Sequence, residues 1–279
     1  MNCSSKIVVF DLDETLGYFV EFGMFWDSLK HYYKNKSKSE SESIITFDQA
    51  FFNKVLDLYP EFTRPNIINI LNYLKKKKQD QHCHKLMIYT NNQGPPEWAH
   101  HIKSYFEEKI KFSLFDQIIG AFKINGKQVE MFRTTHMKTH KDFISCTKIP
   151  ETTQICFIDD VFHPGMKNDN IYYIHIKPYT HDLSFDTIVD RFIGKGLIDI
   201  DDPTSMKDAV IAGMKRYAYT YVEKSQLEQK IDAMLSKKIL HHLHSFFNKK
   251  TNSASRRVSN KSKPKFSKNK TLRVKQKDF

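Results

Sequence analysis

The chain has 279 residues, 40% of them hydrophobic, and a formal net charge of +12. This length and composition suffice for one large folded domain, with or without appendages. No apolar run is long enough to be a membrane span or a signal peptide, so we expect a soluble intracellular protein, in the nucleus or cytoplasm, without a membrane partner. Twelve of the 44 Lys and Arg residues lie in 248–279 with a single acid, which leaves the remainder of the chain nearly neutral.

The first predicted element is a short buried strand that ends in acids. The stretch "KIVVFDLDETLGYF" places four apolar residues, 7–10, directly before Asp11, Asp13 and Glu14. An unbroken apolar run of this length is typical of a strand covered on both faces, and ligands bind at the carboxyl ends of such strands in open α/β sheets. The simpler interpretation is a strand that ends in a solvated acidic turn.

Two helices are predicted next, in an aromatic-rich region. Residues 18–62 could form a small cover, interrupted by the polar stretch "KNKSKSESES". Apolar spacing predicts a helix capped by Thr46 that ends before Pro60, and a second helix with Pro65 in its first turn.

The central part of the sequence alternates strands and helices. A second buried strand lies in "KLMIYTNNQGPPEW", and a helix is predicted from Pro95 and Pro96 to Ile110. The pair Asn125-Gly126 predicts a β-hairpin, and the stretch "HMKTHKDFISCTKIP" predicts a short helix. The run "TTQICFIDD" predicts a third strand, which ends in acids, and "NIYYIHIKPY" predicts an edge strand. This alternation predicts a doubly wound parallel sheet in an α/β domain, residues 1–180, with the hairpin as a small insertion.

The C-terminal third is predicted to be helical, followed by a disordered tail. In the extension 181–248, one helix places an apolar stripe at intervals of four, which we expect to pack on the domain: Leu227, Ile231, Leu235, Ile239, Leu243 and Phe247. The Lys-rich segment 249–279 has the composition of a disordered tail. It could bind nucleic acid through phosphates, or serve solubility or nuclear import.

Polar groups at three strand ends suit phosphoryl transfer. Asp11 and Asp13 follow the first strand, Thr90 the second, and Asp159 and Asp160 the third, with Lys138 or Lys141 between the last two. A carboxylate can attack phosphorus while a second acid protonates the leaving oxygen. Oxygen ligands suit Mg²⁺, and a lysine can neutralise charge on the phosphoryl oxygens.

Four motifs in order resemble the haloacid dehalogenase (HAD) superfamily of phosphatases. The "DLDETL" form at Asp11–Leu16 is most similar to the FCP/SCP branch, which acts on the carboxy-terminal domain of RNA polymerase II. Arg64-Pro65, Thr90, Lys141-Asp142-Phe143 and Ile158-Asp159-Asp160 resemble its further motifs. The resemblance covers residues 6–180.

The resemblance implies a role for each matching residue. Asp11 would be the nucleophile, Asp13 the general acid and base, and Thr90 a phosphoryl-binding hydroxyl. Lys141 would stabilise the phosphate charge, with Lys138 as the alternative. Mg²⁺ would lie between Asp11, the backbone carbonyl of Asp13, and Asp159 or Asp160.

The substrate is less defined than the chemistry. The branch points to a phosphoserine or phosphothreonine protein as substrate. However, "TNNQG" at 90–94 is closer to the motif of polynucleotide 3′-phosphatases, and Asn91 and Asn92 could each bind a phosphate or a sugar, so a nucleic-acid end or a nucleotide is the alternative. A non-catalytic scaffold that binds nucleic acid through the tail is a third hypothesis.

Overall fold

The computed structural model describes residues 5–36 and 45–249. The chain divides after Lys249 into two units, and the second, 250–279, lies outside the described residues. The predicted disordered tail, apart from Lys249, is therefore outside the described part of the chain, as is most of the polar stretch "KNKSKSESES". Within the described ranges, no helix combines the length and the apolar character needed to cross a bilayer.

The central sheet has five strands, and every neighbouring pair is parallel. Its order is β3-β2-β1-β6-β7, so the predicted edge strand β7 is confirmed at one edge. The opposite edge strand, β3, was not predicted as part of the sheet because its three residues run directly into the hairpin segment. The sheet strands are β1 (Lys6–Phe10), β2 (Lys85–Tyr89), β3 (Gln117–Ile119), β6 (Gln154–Asp159) and β7 (Ile171–His175).

A separate two-stranded hairpin and eight helices complete the described fold. The hairpin strands β4 (Lys123–Ile124) and β5 (Lys127–Gln128) flank Asn125 and Gly126, both with positive φ, as the Asn-Gly pair predicts. The helices are α1 (Val20–Lys36), α2 (Gln49–Leu56), α3 (Ile67–Gln79), α4 (Pro96–Ile110), α5 (His140–Thr147), α6 (Phe185–Lys195), α7 (Pro203–Lys215) and α8 (Gln226–Asn248), with 3-10 turns at Pro60–Phe62 and Pro164–Met166.

Both faces of the sheet are covered, which explains the unbroken apolar runs of the strands. Val8 and Phe10 of β1 belong to a large core, whereas Ile7 and Val9 belong to a smaller core that also contains Phe143 of α5. The larger core takes side chains from α1, α2, α3, α4, α6, α7 and α8. The aromatic side chains of 18–62 and the helices after residue 180 thus pack on the same core.

Two predicted helix starts are corrected by the structure. Helix α2 is capped by Asp48, not Thr46, because the Asp48 side chain accepts a hydrogen bond from the Phe51 N–H. Helix α3 begins after Asn66, whose φ of 65° is left-handed, so Pro65 lies just outside the first turn.

Helix α8 packs on the domain, as expected, and Ile239 and Leu243 of the predicted stripe are buried. Leu227 is 68% exposed, and Asp232, Ser236 and Phe246 complete the buried face. Asp232 faces inward because Lys177 and Lys224 form ion pairs with its carboxylate. Spacing of apolar residues alone could not indicate a helix face that is anchored by a buried acid.

Candidate active site

The candidate site lies at the point where the sheet changes direction. The chain places β2 and β3 on one side of β1. It then returns through a crossover connection that contains α5 and adds β6 on the other side of β1. The carboxyl ends of β1, β2 and β6 therefore meet at a crevice, which is the usual ligand position in open parallel sheets. The sequence-predicted acids and Thr90 all follow these three strands.

Three aspartates and one lysine form the buried centre of the site. Carboxylate oxygens of Asp11, Asp159 and Asp160 lie within 4.8 Å of one another. The Lys138 ammonium group donates to Asp159 Oδ2 at 2.7 Å and also to Asp11 Oδ1. Lys138 is 2% exposed. Burial of a lysine at this position requires its carboxylate partners, because an unpaired buried charge is costly.

The acids of this cluster differ in pKa. Burial and the neighbouring Asp159 carboxylate together raise the pKa of Asp11 to about 8, against the charge of Lys138. Burial also acts to raise the pKa of Asp159, but the nearby His163 and the charge of Lys138 outweigh it, so the net shift is downward. The positive charge of one lysine therefore does not compensate the negative charges of three carboxylates.

The residues of this cluster fit a hard divalent cation. With all three carboxylates ionised, one ammonium group would leave two negative charges uncompensated in a buried volume, and a divalent cation would balance them. The donors are all oxygen, the ligand type of Mg²⁺, Ca²⁺ and Mn²⁺. Asp11, Asp159 and Asp160 could hold such an ion. The predicted metal role of Asp13 involves its backbone carbonyl, and the Asp13 carboxylate is outside this group of three.

Asp13 stands beside the cluster and is held by an asparagine. Asn92 Nδ2 donates to Asp13 Oδ2 at 2.9 Å, while Asn92 Oδ1 accepts from the Gly94 N–H at 2.8 Å. The second bond fixes the amide orientation, so that its NH₂ group faces the acid. Burial raises the pKa of Asp13, and the Asn92 hydrogen bond opposes this shift. A raised pKa favours the protonated form that a general acid needs.

A buried arginine holds the loop after β2. The guanidinium group of Arg133 donates to the Thr90 carbonyl at 3.1 Å, to Asn91 Oδ1 at 2.8 Å and to the Gly120 carbonyl at 2.7 Å. Arg133 also lies over the Tyr89 ring, 4.9 Å from its centroid. Thr90 Oγ1 accepts from the Asn92 N–H at 2.9 Å. Thr90 and Asn91 are therefore fixed at the site edge, with Asn91 exposed.

A second buried arginine holds the loop after β1. Arg64 Nε donates to the Thr15 carbonyl at 2.6 Å, and the same guanidinium donates to the carbonyls of Glu14 and Lys177. The Thr15 hydroxyl donates to Asp160 Oδ1 at 3.0 Å. Arg64 thereby links the start of α3 to the loop after β1 and to the segment after β7.

The structure places the two candidate lysines differently. Lys138 contacts Asp11 and Asp159, whereas Lys141, on the first turn of α5, is exposed. The structure therefore brings the alternative, Lys138, to the predicted acids, and leaves the preferred candidate, Lys141, exposed. The residue next to Lys141, Asp142, is buried and accepts two hydrogen bonds from Thr134.

Two site residues, Arg133 and His163, were not predicted. Asn92 was predicted together with Asn91 as a possible phosphate or sugar ligand, but its hydrogen bond to Asp13 was not. Arg133 and His163 lie in loops without a local pattern, and only the fold brings them to the site. His163 Nε2 is 3.6 Å from Asp159 Oδ2.

No protein-family model, curated protein or solved structure matches this chain.

Proposed function

We propose that this protein is a Mg²⁺-dependent phosphomonoester hydrolase of the HAD type that works through an aspartyl-phosphate intermediate. One observation carries the proposal: the Lys138 ammonium group is buried between Asp11 and Asp159, beside a converging set of three carboxylates. A non-catalytic scaffold has no need for this arrangement, because uncompensated buried charge destabilises a fold.

The proposed reaction assigns one step to each acid. An Asp11 oxygen attacks phosphorus, the bond from phosphorus to the leaving oxygen breaks, and Asp13 gives its proton to that oxygen. A water molecule then attacks the acyl phosphate, Asp13 takes the water proton, and the bond between phosphorus and Asp11 breaks to release phosphate. Lys138 and the Thr90 hydroxyl would bind the phosphoryl oxygens and lower the barrier by neutralising their charge.

Asp11, Asp159 and Asp160 would hold the metal ion, together with the backbone carbonyl of Asp13 as the resemblance implies. When bound, Mg²⁺ would supply positive charge that offsets the repulsion between the incoming phosphate and the acids. It would also reverse the upward shift of the Asp11 pKa, since a cation favours the ionised carboxylate.

Two substrate classes are proposed from the sequence. The resemblance to the FCP/SCP branch supports a phosphoserine or phosphothreonine protein, and the "TNNQG" loop supports a nucleotide or nucleic-acid end. The hydrogen bond from Asn92 to Asp13 favours the second candidate, because it puts that loop beside the leaving group. The basic tail could hold either polyanion.

The test is release of inorganic phosphate from acetyl phosphate and para-nitrophenyl phosphate by the full chain with Mg²⁺. Asp11→Asn should abolish turnover, because an amide does not attack phosphorus. Asp169→Asn, an equal change at an exposed position outside the site, is the matched control. Full activity of Asp11→Asn, or activity unaffected by EDTA, would refute the proposed mechanism.

A further inference from the structure

A cavity of about 410 Å³ opens directly beside Asp13 and Asn92. One wall is α1, from Val20 to Lys30, and the other is the start of α4 with Trp98. Ten residues of helix correspond to about 15 Å. The cavity therefore extends well beyond the reacting phosphate, along a helix that supplies none of the catalytic acids.

The position of Asp13 decides what this cavity could hold. A general acid lies on the side of the leaving oxygen, and Asp13 lines one end of the cavity. On the proposed mechanism, the leaving group would consequently enter the cavity while the phosphoryl group faces Asp11 and Lys138.

The cavity lining changes character along its length. Asp13 and Asn92 are polar at the catalytic end, Trp98 and Trp26 provide aromatic surface, and Tyr217 is 48% exposed on the same lining. Asp27 and Lys30 add an acceptor and a donor from the exposed side of α1. Aromatic walls with a few polar groups suit a flat ring whose edge forms hydrogen bonds.

Gly23 keeps the aromatic wall accessible. A Cβ atom at Gly23 would lie 3.6 Å from two carbons of the Trp98 ring, in ordinary van der Waals contact. A larger side chain there would occupy the space in front of Trp98. Gly23 lies within α1 without a positive φ, so the backbone conformation does not explain the glycine.

We propose that this cavity binds the nucleoside part of a terminal nucleotide, with the base against Trp98 and the sugar near Asn92. The inference rests on the proposed function for the position of the phosphate. It deepens that function by naming the leaving group as a nucleoside, from a free nucleoside monophosphate or a phosphorylated strand end. Stacking of bases on aromatic side chains is tolerant of base identity, so we expect little preference among bases.

The chain's two tryptophans, Trp26 and Trp98, both line the cavity, so intrinsic fluorescence reports on it without any need for turnover. Thymidine 3′-monophosphate and 5′-monophosphate should quench the fluorescence of the full chain saturably, and inorganic phosphate should not. N-acetyltryptophanamide in the same titration corrects for absorption by the base. Gly23→Leu should raise the Kd at least about tenfold.

Gly194→Leu is the matched control, since Gly194 is an exposed helical glycine with open space around its Cβ position. Tyr217→Ala, at a half-exposed residue, is a second variant that tests the cavity if Gly23→Leu does not fold. Melting temperatures establish folding of each variant.

Kinetic measurements distinguish a free nucleotide from a strand end as the substrate. They also test the nucleoside site separately from the proposed hydrolase activity. We would compare kcat/KM for both thymidine monophosphates, a 3′-phosphorylated oligonucleotide, a phosphoserine peptide and acetyl phosphate. Gly23→Leu should reduce the nucleotide values at least about tenfold and leave acetyl phosphate within about twofold. A higher value for the strand end than for the free nucleotides identifies a strand end as the source, and the reverse identifies a free nucleotide.

Two results would overturn the nucleoside proposal: absence of quenching by both thymidine monophosphates, or a wild-type preference for the phosphoserine peptide. Quenching that Gly23→Leu removes, without turnover of any phosphoester, would instead support the nucleoside site and refute the proposed hydrolase.

Discussion

Lys138 Nζ lies 2.7 Å from Asp159 Oδ2, and the side chains of both residues are at most 2% exposed. Lys138 lies in the loop before α5, and Asp159 ends β6, so their contact joins β6 to the crossover that precedes it. The same ammonium group also contacts Asp11 at the end of β1. Lys138 thus holds together the two strand ends between which the sheet changes direction.

The first prediction separates Lys138 from Lys141. Lys138→Ala should lower kcat/KM for acetyl phosphate by at least about a hundredfold, since it removes the cation that faces the phosphoryl group. It should also destabilise the fold by about 3 kcal/mol, because it leaves buried carboxylates unpaired. Phosphate release and urea denaturation measure the two effects.

Lys141→Ala is the corresponding variant of an exposed lysine and should stay near wild type in both measurements. If Lys141→Ala loses activity and Lys138→Ala keeps it, the assignment of the phosphate-binding lysine is reversed.

The second prediction concerns the metal ion and stability. Asp11, Asp159 and Asp160 repel one another, so millimolar Mg²⁺ should raise the melting temperature by several degrees. Asp160→Asn should reduce this Mg²⁺-dependent rise, because it removes a ligand and part of the repulsion. Differential scanning fluorimetry with Mg²⁺, with EDTA and with NaCl of equal ionic strength measures the effect, and an equal rise in NaCl would contradict a specific site.

The third prediction concerns Asn92 as a positioning residue for Asp13. Asn92→Ala removes the 2.9 Å hydrogen bond to Asp13 Oδ2 and frees the carboxyl group to rotate. Because protonation of the leaving oxygen matters most for poor leaving groups, kcat/KM should fall at least about tenfold for an alkyl phosphate and less for para-nitrophenyl phosphate.

Asn248→Ala, at an exposed asparagine that ends α8 outside the site, is the control for this measurement. An equal loss for both leaving groups in Asn92→Ala would mean that Asn92 binds the phosphoryl group instead.

The fourth prediction concerns Arg133, which donates to four oxygens through two nitrogens. Arg133→Lys should not restore this planar arrangement, because a lysine is a single flexible point charge. We expect kcat/KM for acetyl phosphate to fall at least about tenfold as the Thr90 loop becomes less ordered. Rates are measured well below the melting temperature of the variant, and an unchanged rate in a folded Arg133→Lys protein would exclude the positioning role.

The fifth prediction is a pH dependence of stability that does not involve the site. Glu21 is fully buried, with one carboxyl oxygen accepting from the Leu183 N–H at 2.8 Å and the other without a partner. Burial raises the pKa of Glu21 from 4.5 to about 8. Between these two values the unfolded chain has lost the proton and the folded chain keeps it, so this group lowers the free energy of unfolding as pH rises through that window.

Glu21→Gln keeps the shape and removes the titration. Its melting temperature should exceed that of the wild type at pH 7.5, by an amount corresponding to about 2–4 kcal/mol, and approach it at pH 4.5. Glu97→Gln, an exposed acid, is the control. A difference between Glu21→Gln and wild type that is independent of pH would refute the raised pKa.

The sequence alone determined four of the five sheet strands, the hairpin and the candidate acids. Runs such as Ile7–Phe10 indicate strands buried on both faces, and the structure confirms them because a parallel sheet covered by helices needs no polar alternation. The polar residues of the site were predictable for the same reason, since they stand at the ends of such strands: Asp11, Asp13, Thr90, Asp159 and Asp160. These signals are local, and a local pattern can be recognised in the chain itself.

The tertiary structure decided what depends on contacts between distant segments. Only packing distinguishes Lys138 from Lys141, three residues apart, because Lys138 is buried against Asp11 and Asp159 and Lys141 is exposed. Arg133 reaches the loop after β2 from the region beyond the hairpin, and α8 presents Asp232 inward because Lys177 and Lys224 pair with it. These outcomes depend on the burial of charged side chains. The free-energy cost of burying a charge depends on its partners, and these partners are far away in the sequence.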